Sequence, residues 1–496
     1  MMNWGQLLSA GIEKATLDPS LYVAISGPAC TGKTETLLRR AARIMSEGVR
    51  PQDILVIAPN KAGALELTRR LRTLSPDEAD DVRVESVGEL CRDVFEEYRV
   101  EEETGIAFNI LDYRQENELF DEVCRLNGKY ERNIEIVKYL LREWTELGET
   151  KSDYYVTSEE SGLHEALKQR LRTRKSALRH EVSNMIYRYF SAHEDALRKS
   201  QVSHVFVDDF QCLNRASQKL CELLCREGMT VVNDELSSVE VSDPYPYRDG
   251  AQEFVETTGA VEYRFRESFA AKAIVACALS FLARAENPVP VEDIPGKTEG
   301  VLATRREDEG SVEVIPLKTP SEESGFVVEH VLALAEGMNC EVLLVAPDSL
   351  RKEELLHGLQ ASAVGIEVRD AALRTFGEET NSMAPSVVVA TPQESVGISR
   401  RAVVVVGVAN GNYPSIGALD QSDTVNHRRE RRLQDDRLFL SLLTRAQDRL
   451  VLTYPRFDGL DSAVRSGLKI ARVRSFDGEP IGLFSPSEYL QWICEQ

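Results

Sequence analysis

Gly27, Pro28, Ala29, Cys30, Thr31, Gly32, Lys33 and Thr34 satisfy the pattern Gly-x-x-x-x-Gly-Lys-Ser/Thr at every required position. A loop of this kind turns backbone N–H groups toward a polyanion, while its lysine reaches the terminal phosphates and its hydroxyl ligates magnesium. Lys33 and Thr34 fall on those two positions, so the ligand class is a nucleoside triphosphate with Mg2+. A second reactive group lies far along the chain, where His204-Val-Phe-Val-Asp-Asp-Phe-Gln211 closes a strand-like run with paired carboxylates. A carboxylate at a strand end beside a phosphate loop can hold the metal, and its neighbour can orient the attacking water. Asp208 is assigned to the metal and Asp209 to the water.

Those side chains need elements to place them. Leu21 to Ser26 is a short apolar run of strand character, and Glu35 to Glu47 carries Leu37, Leu38, Ala41, Ile44 and Met45 at helical spacing. Ile54 to Ala58 reads as a buried parallel strand, with Asn60 and Lys61 just past its C-terminal end, the edge where open α/β sheets bind ligands. Val82 to Val87 predicts another strand and Leu90 to Tyr98 a helix. From about Asp112 to Lys199 the texture is of charged helices with regular apolar positions, among them Leu119, Val123, Leu140 and Trp144, which reads as a helical insertion. Met229 to Asp234 supplies a further strand.

Size and charge set bounds on this reading. A chain of 496 residues suggests about three domains. Its 42% hydrophobic and 28% charged composition is that of an ordinary folded protein. No apolar run is long enough to cross a bilayer, and Met-Met-Asn-Trp-Gly lacks the regions of a signal peptide, so the expectation is a cytoplasmic protein with no membrane partner. Nine cysteines without a Cys-x-x-Cys pair suit reduced thiols. Cys221 and Cys225, four apart in an apolar helical pattern, read as core thiols. The net charge of −22 excludes a protein that coats nucleic acid through an overall basic field. It is compatible with a local groove for a single strand, built from a few phosphate contacts and stacked aromatics.

Val207-Asp-Asp-Phe-Gln-Cys-Leu-Asn-Arg-Ala-Ser-Gln218 resembles the Asp-Glu-Phe/Tyr-Gln-Asp motif of superfamily-one DNA helicases of the UvrD, Rep and PcrA type. Other stretches follow in the family's order. Ala58-Pro-Asn-Lys-Ala62 is similar to its Thr-Asn-Lys-Ala segment, and Phe265-Arg266, or alternatively Tyr263-Arg264, to its Tyr-Arg motif. Glu341 to Ala346 with Gly365 to Val368 resembles the second core, and Asp436 to Ala446 the Thr-Arg-Ala arginine motif. The resemblance implies an α/β fold, a P-loop NTPase with two RecA-like parallel-sheet domains and a helical insertion in the first. It implies an ATP-binding domain of residues 1–110 and 200–258, an insertion of 111–199, and a second domain of 259–496. About 125 residues separate Arg266 from Thr391, which leaves little room for the family's large second insertion. By the same resemblance Asp209, Gln211, Arg266 and Arg445 are catalytic, ATP and Mg2+ are bound at the loop, and Asn60, Lys61 and Thr391 contact single-stranded DNA.

The departures bear on coupling. Asp209 stands where the family has glutamate and Cys212 where it has aspartate. Asn233 to Ser238 replaces the Gly-Asp-x-x-Gln-Ser segment, with Ser237 at the glutamine that senses the γ-phosphate. In Thr391 to Ser399, Gln393 replaces a histidine, Val396 a lysine and Ser399 a ribose-contacting glutamate. Gln6 is the candidate for the adenine-selecting glutamine. Two functions follow. One is an ATP-dependent translocase or helicase on single-stranded DNA, moving 3′ to 5′ by the resemblance, in DNA repair, recombination or defence. The other is a motor-deficient ATP-binding or DNA-binding subunit that serves a nuclease, repair or defence complex as scaffold or nucleotide sensor. Tyr245 and Tyr247 offer either stacking faces or a proline-stiffened packed loop, and His427 to Arg432 reads as a salt-bridged helix face.

Overall fold

The computed structural model describes residues 10–111, 113–125, 130–148, 157–234, 236–285, 303–373, 385–415, 425–461, 469–476 and 479–494; Gln6 lies outside them. The continuous apolar runs become strands buried on both faces, as parallel strands covered by helices must be. In the first sheet β1 (Tyr22–Ser26), β2 (Ile54–Ala58), β3 (Arg83–Ser86), β4 (Val202–Val207), β5 (Cys225–Asn233) and β6 (Val261–Arg264) stand in the order β3-β2-β4-β5-β1-β6. All its pairs are parallel. The first core therefore runs to Arg264, past the expected boundary at 258. Gly259 ends the helix Gly250–Thr258 in the left-handed conformation, φ 68°, and the chain turns back to pair with β1.

A short ladder of β7 (Glu267–Ser268) and β8 (Ala303–Thr304) precedes a second parallel sheet. Here β9 (Ser311–Leu317), β10 (Glu341–Val345), β11 (Glu367–Asp370), β12 (Ser386–Ala390), β13 (Arg400–Val405) and β14 (Ala446–Pro455) take the order β11-β12-β10-β13-β14-β9. These are the two RecA-like sheets. After them β15 (Phe457–Gly459), β16 (Ile470–Phe476) and β17 (Glu479–Phe484) form a small antiparallel sheet that the sequence reading did not anticipate.

The segment between β3 and β4 is helical. Tyr113–Cys124, Tyr130–Thr145 and Ser158–Arg174 enclose Leu119, Val137, Leu141, Trp144, Leu167 and Leu171. The helix Arg179–Ala192 packs back on Arg215–Leu224, where the Ser183 and Ser217 hydroxyls meet at 2.7 Å. Cys221 and Cys225 do not share a helix: Cys221 is buried in Arg215–Leu224, and Cys225 opens β5. The leucine spacing ahead of Cys225 carried the helical pattern one residue too far. Among the described residues no helix is long and apolar enough to cross a membrane.

Candidate nucleotide site and the cleft between the cores

The phosphate loop joins β1 to the helix Lys33–Ser46. That helix is anchored from below by Arg40, 1% exposed, which donates to the carbonyls of Ala15 (2.7 Å), Asp18 (2.8 Å) and Ser20 (3.0 Å). Two glycines set the loop's path. A Cβ on Gly27 would lie 2.4 Å from the Phe265 carbonyl oxygen, and Gly32, at φ 90°, is the left-handed residue before the helix. Lys33 donates to the Pro28 carbonyl at 2.6 Å and lies 3.6 Å from Asp234. The Thr34 hydroxyl donates to both carboxylate oxygens of Asp208, at 3.0 and 3.1 Å.

The Thr34 and Asp208 oxygens thus converge on one point beside the loop. A hard cation that keeps phosphate and water ligands suits such a pair. Burial first, and then the charge of Asp209, raises the Asp208 carboxyl above its ordinary range. A cation at that point would restore the ionised form. Asp209, in the left-handed conformation at φ 46°, accepts from Gln211 Nε2 at 3.1 Å, and Gln211 Oε1 accepts from the Asp234 N–H at 2.9 Å. Gln211 therefore ties the end of β4 to the residue after β5.

The loop is held from two other directions. Past β6, Phe265 donates its N–H to the Ser26 carbonyl at 2.7 Å, and the Phe269 N–H donates to the Cys30 carbonyl at 2.7 Å. Of the two Tyr-Arg candidates, Tyr263-Arg264 lies within β6, its tyrosine donating to Asp18, whereas the segment of Phe265-Arg266 runs along the loop with Arg266 exposed. From the second core, the Thr444 carbonyl accepts from the Cys30 thiol at 3.3 Å. Arg445, next in the chain, is 7% exposed and donates to the Ser441 hydroxyl from Nη2 at 2.7 Å and Nε at 3.3 Å.

The proposed strand-contacting residues have structural duties as well. Asn60 caps the helix Lys61–Leu74, accepting from the Gly63 N–H at 2.6 Å, and its Nδ2 donates across the cleft to the Gln393 carbonyl at 2.9 Å. Thr391 accepts from the Glu394 N–H at 3.3 Å, while Glu394 accepts from the Thr391 N–H at 2.8 Å. Lys61 is exposed. Tyr245 and Tyr247 are half-buried, with Tyr245 beside the His180 ring and Arg215 over the Tyr247 ring.

The sequence reading missed the residues that seal the cleft. Glu66, on the helix Lys61–Leu74, accepts from Arg400 at the start of β13 through Nη1 (3.1 Å) and Nη2 (2.8 Å). Arg400 also bonds Glu341, which Arg369 contacts in turn, and Arg69 bonds Glu66 at 3.1 Å. Val396, 1% exposed, closes an apolar cluster with Cys212 and Val239 of the first core, against which Leu438 packs. A hint lay in the sequence: Glu66 sits on the face of its helix that also carries Ala62.

A phosphate loop on one parallel sheet, a carboxylate at the neighbouring strand end and a second parallel sheet pressed against the loop define a P-loop NTPase with two RecA-like cores. Over residues 8–239 the chain matches the UvrD/REP helicase N-terminal domain, and in that part it is similar to UvrD/Rep-like helicases. No curated protein matches the chain.

Proposed function

We propose that the chain is an ATP-dependent motor on single-stranded DNA, moving 3′ to 5′ and serving DNA repair, recombination or defence in the cytoplasm. The observation that carries this reading is the convergence of Thr34 and Asp208 beneath a loop that Thr444 and Arg445 approach from the second core. In the family such sites take ATP and typically Mg2+, the metal supplying charge neutralisation at the β- and γ-phosphates. The backbone of Gly27 to Thr34 and the Lys33 amine bind the phosphates. Thr34 and Asp208 hold the metal, Asp209 with Gln211 orients water, and Arg266 and Arg445 offset negative charge as it develops. Asn60, Lys61 and Thr391 contact the strand, and opening and closing of the cleft moves it.

A second reading is a motor-deficient subunit of a nuclease, repair or defence complex. The observation favouring it is Val396, which stands at the family's lysine and is spent on an apolar contact between the cores. ATP turnover with and without single-stranded DNA separates the two, with Lys33→Ala as the blank. Strand-stimulated, Lys33-dependent hydrolysis is expected; tight nucleotide binding without turnover would overturn the motor reading.

A further inference from the structure

Arg445 presents an electrostatic demand. Its guanidinium is almost fully buried, yet among the described residues its bonds go to the neutral Ser441 hydroxyl and to no carboxylate. A buried cation without a counter-charge is costly, so the position calls for an anion. The cation's field reaches the thiols of Cys30 and Cys212, both in the first core, so its charge is felt across the cleft.

The backbone around it is fixed on every side. The Arg445 N–H donates to the Leu442 carbonyl at 3.2 Å, its carbonyl accepts from the Arg400 N–H at 3.0 Å, and the Thr444 carbonyl takes the Cys30 thiol. Only the long side chain has freedom, and Ser441, 0% exposed, removes it. A buried hydroxyl is unfavourable unless it is hydrogen-bonded, and an apolar side chain would fill that buried site at lower cost. The hydroxyl engages two of the five guanidinium N–H donors and leaves the rest for an anion's oxygens.

We propose that Ser441 is a positioning residue that holds the Arg445 guanidinium ready for the terminal phosphoryl group of the nucleotide, an inference that rests on the ATPase reading above. Ser441 touches no substrate; it limits the arginine to one orientation before nucleotide arrives, so less ordering remains for the reaction step.

The test is a double-mutant cycle in the full chain. Ser441→Ala is expected to lower kcat about tenfold while KM for ATP stays within about twofold, and Ser441→Thr, which keeps the hydroxyl, restores the parent rate. Affinity for ADP with beryllium fluoride, a γ-phosphoryl mimic, falls about tenfold in Ser441→Ala with ADP affinity unchanged. In an Arg445→Ala background the serine substitution has no further effect beyond about twofold. A packing residue behaves otherwise: Ser441→Ala would then cost as much with or without Arg445, or weaken ADP equally, and either outcome overturns the proposal. Absence of Lys33-dependent turnover in the parent chain defeats the hydrolase reading instead. Ser441 is then judged on ADP–beryllium fluoride affinity, where equal binding by parent and Ser441→Ala overturns it.

Discussion

Replacing Glu66 by glutamine keeps the side chain's shape and removes one charge from the seam between the cores. In the parent, three arginines, Arg69, Arg369 and Arg400, face two carboxylates, Glu66 and Glu341, and Glu66 is 8% exposed. Burial by itself would raise the Glu66 carboxyl, but Arg400 and then Arg69 overcome it and hold the group far below the usual carboxylate range. Breaking a buried pair by removing one partner costs about 3–5 kcal/mol. Arg400 keeps Glu341, and glutamine still accepts one hydrogen bond, so about 2–3 kcal/mol is expected here. A two-core protein need not unfold in one step, so the loss is read locally, by hydrogen exchange of amides in Lys61–Leu74 and β13. The pH dependence fixes the sign. A carboxyl whose folded pKa is depressed stabilises the fold above its unfolded pKa, about 4.3, and that contribution is lost as pH falls through the folded value. The parent should therefore exceed Glu66→Gln in protection at pH 7, with the gap narrowing below about pH 4. A difference under about 0.5 kcal/mol at pH 7, or a gap that widens in acid, would refute the clamp.

Two further outcomes test other parts of the structure. Gly27→Ala sets a Cβ 2.4 Å from the Phe265 backbone carbonyl oxygen, which has no flexible end to move aside, so the loop must shift; ATP affinity measured by calorimetry should fall at least about tenfold, and unchanged affinity would contradict the geometry. Asp243 is raised to about 6, chiefly by burial, so its charge penalises the fold increasingly as pH climbs from about 4 to 6. Asp243→Asn should gain stability relative to the parent across that window and hold the gain above it, read by hydrogen exchange of amides in Arg215–Leu224, whose cap Asn214 donates its N–H to Asp243; a gain confined to acid would sink the reasoning.

What was legible in the sequence was local. The loop from Gly27 to Thr34 and the carboxylates after β4 announce themselves because each is a short pattern next to a buried strand, and parallel strands in a covered sheet are apolar throughout. The expectation for Arg445 rests on motif order. The Glu66–Arg400 pair was not, since its members stand 334 positions apart and each alone reads as a surface charge. Asn60 was read for the strand, yet its oxygen caps a helix and its amide crosses the cleft. Val396 shows the same limit: its departure from the lysine was plain, but the apolar partners Cys212 and Val239 appear only once the two cores are set together.

The placement of β9 bears on how the chain is made. β9 ends at Leu317, but among the described residues its neighbour in the sheet is β14, which begins at Ala446. The first sheet has all six strands once Arg264 has been synthesised, whereas the second cannot seat β9 until well over a hundred further residues exist. A nascent chain thus carries a finished phosphate loop long before Arg445 is made, and the second core closes last, around contacts of high sequence separation.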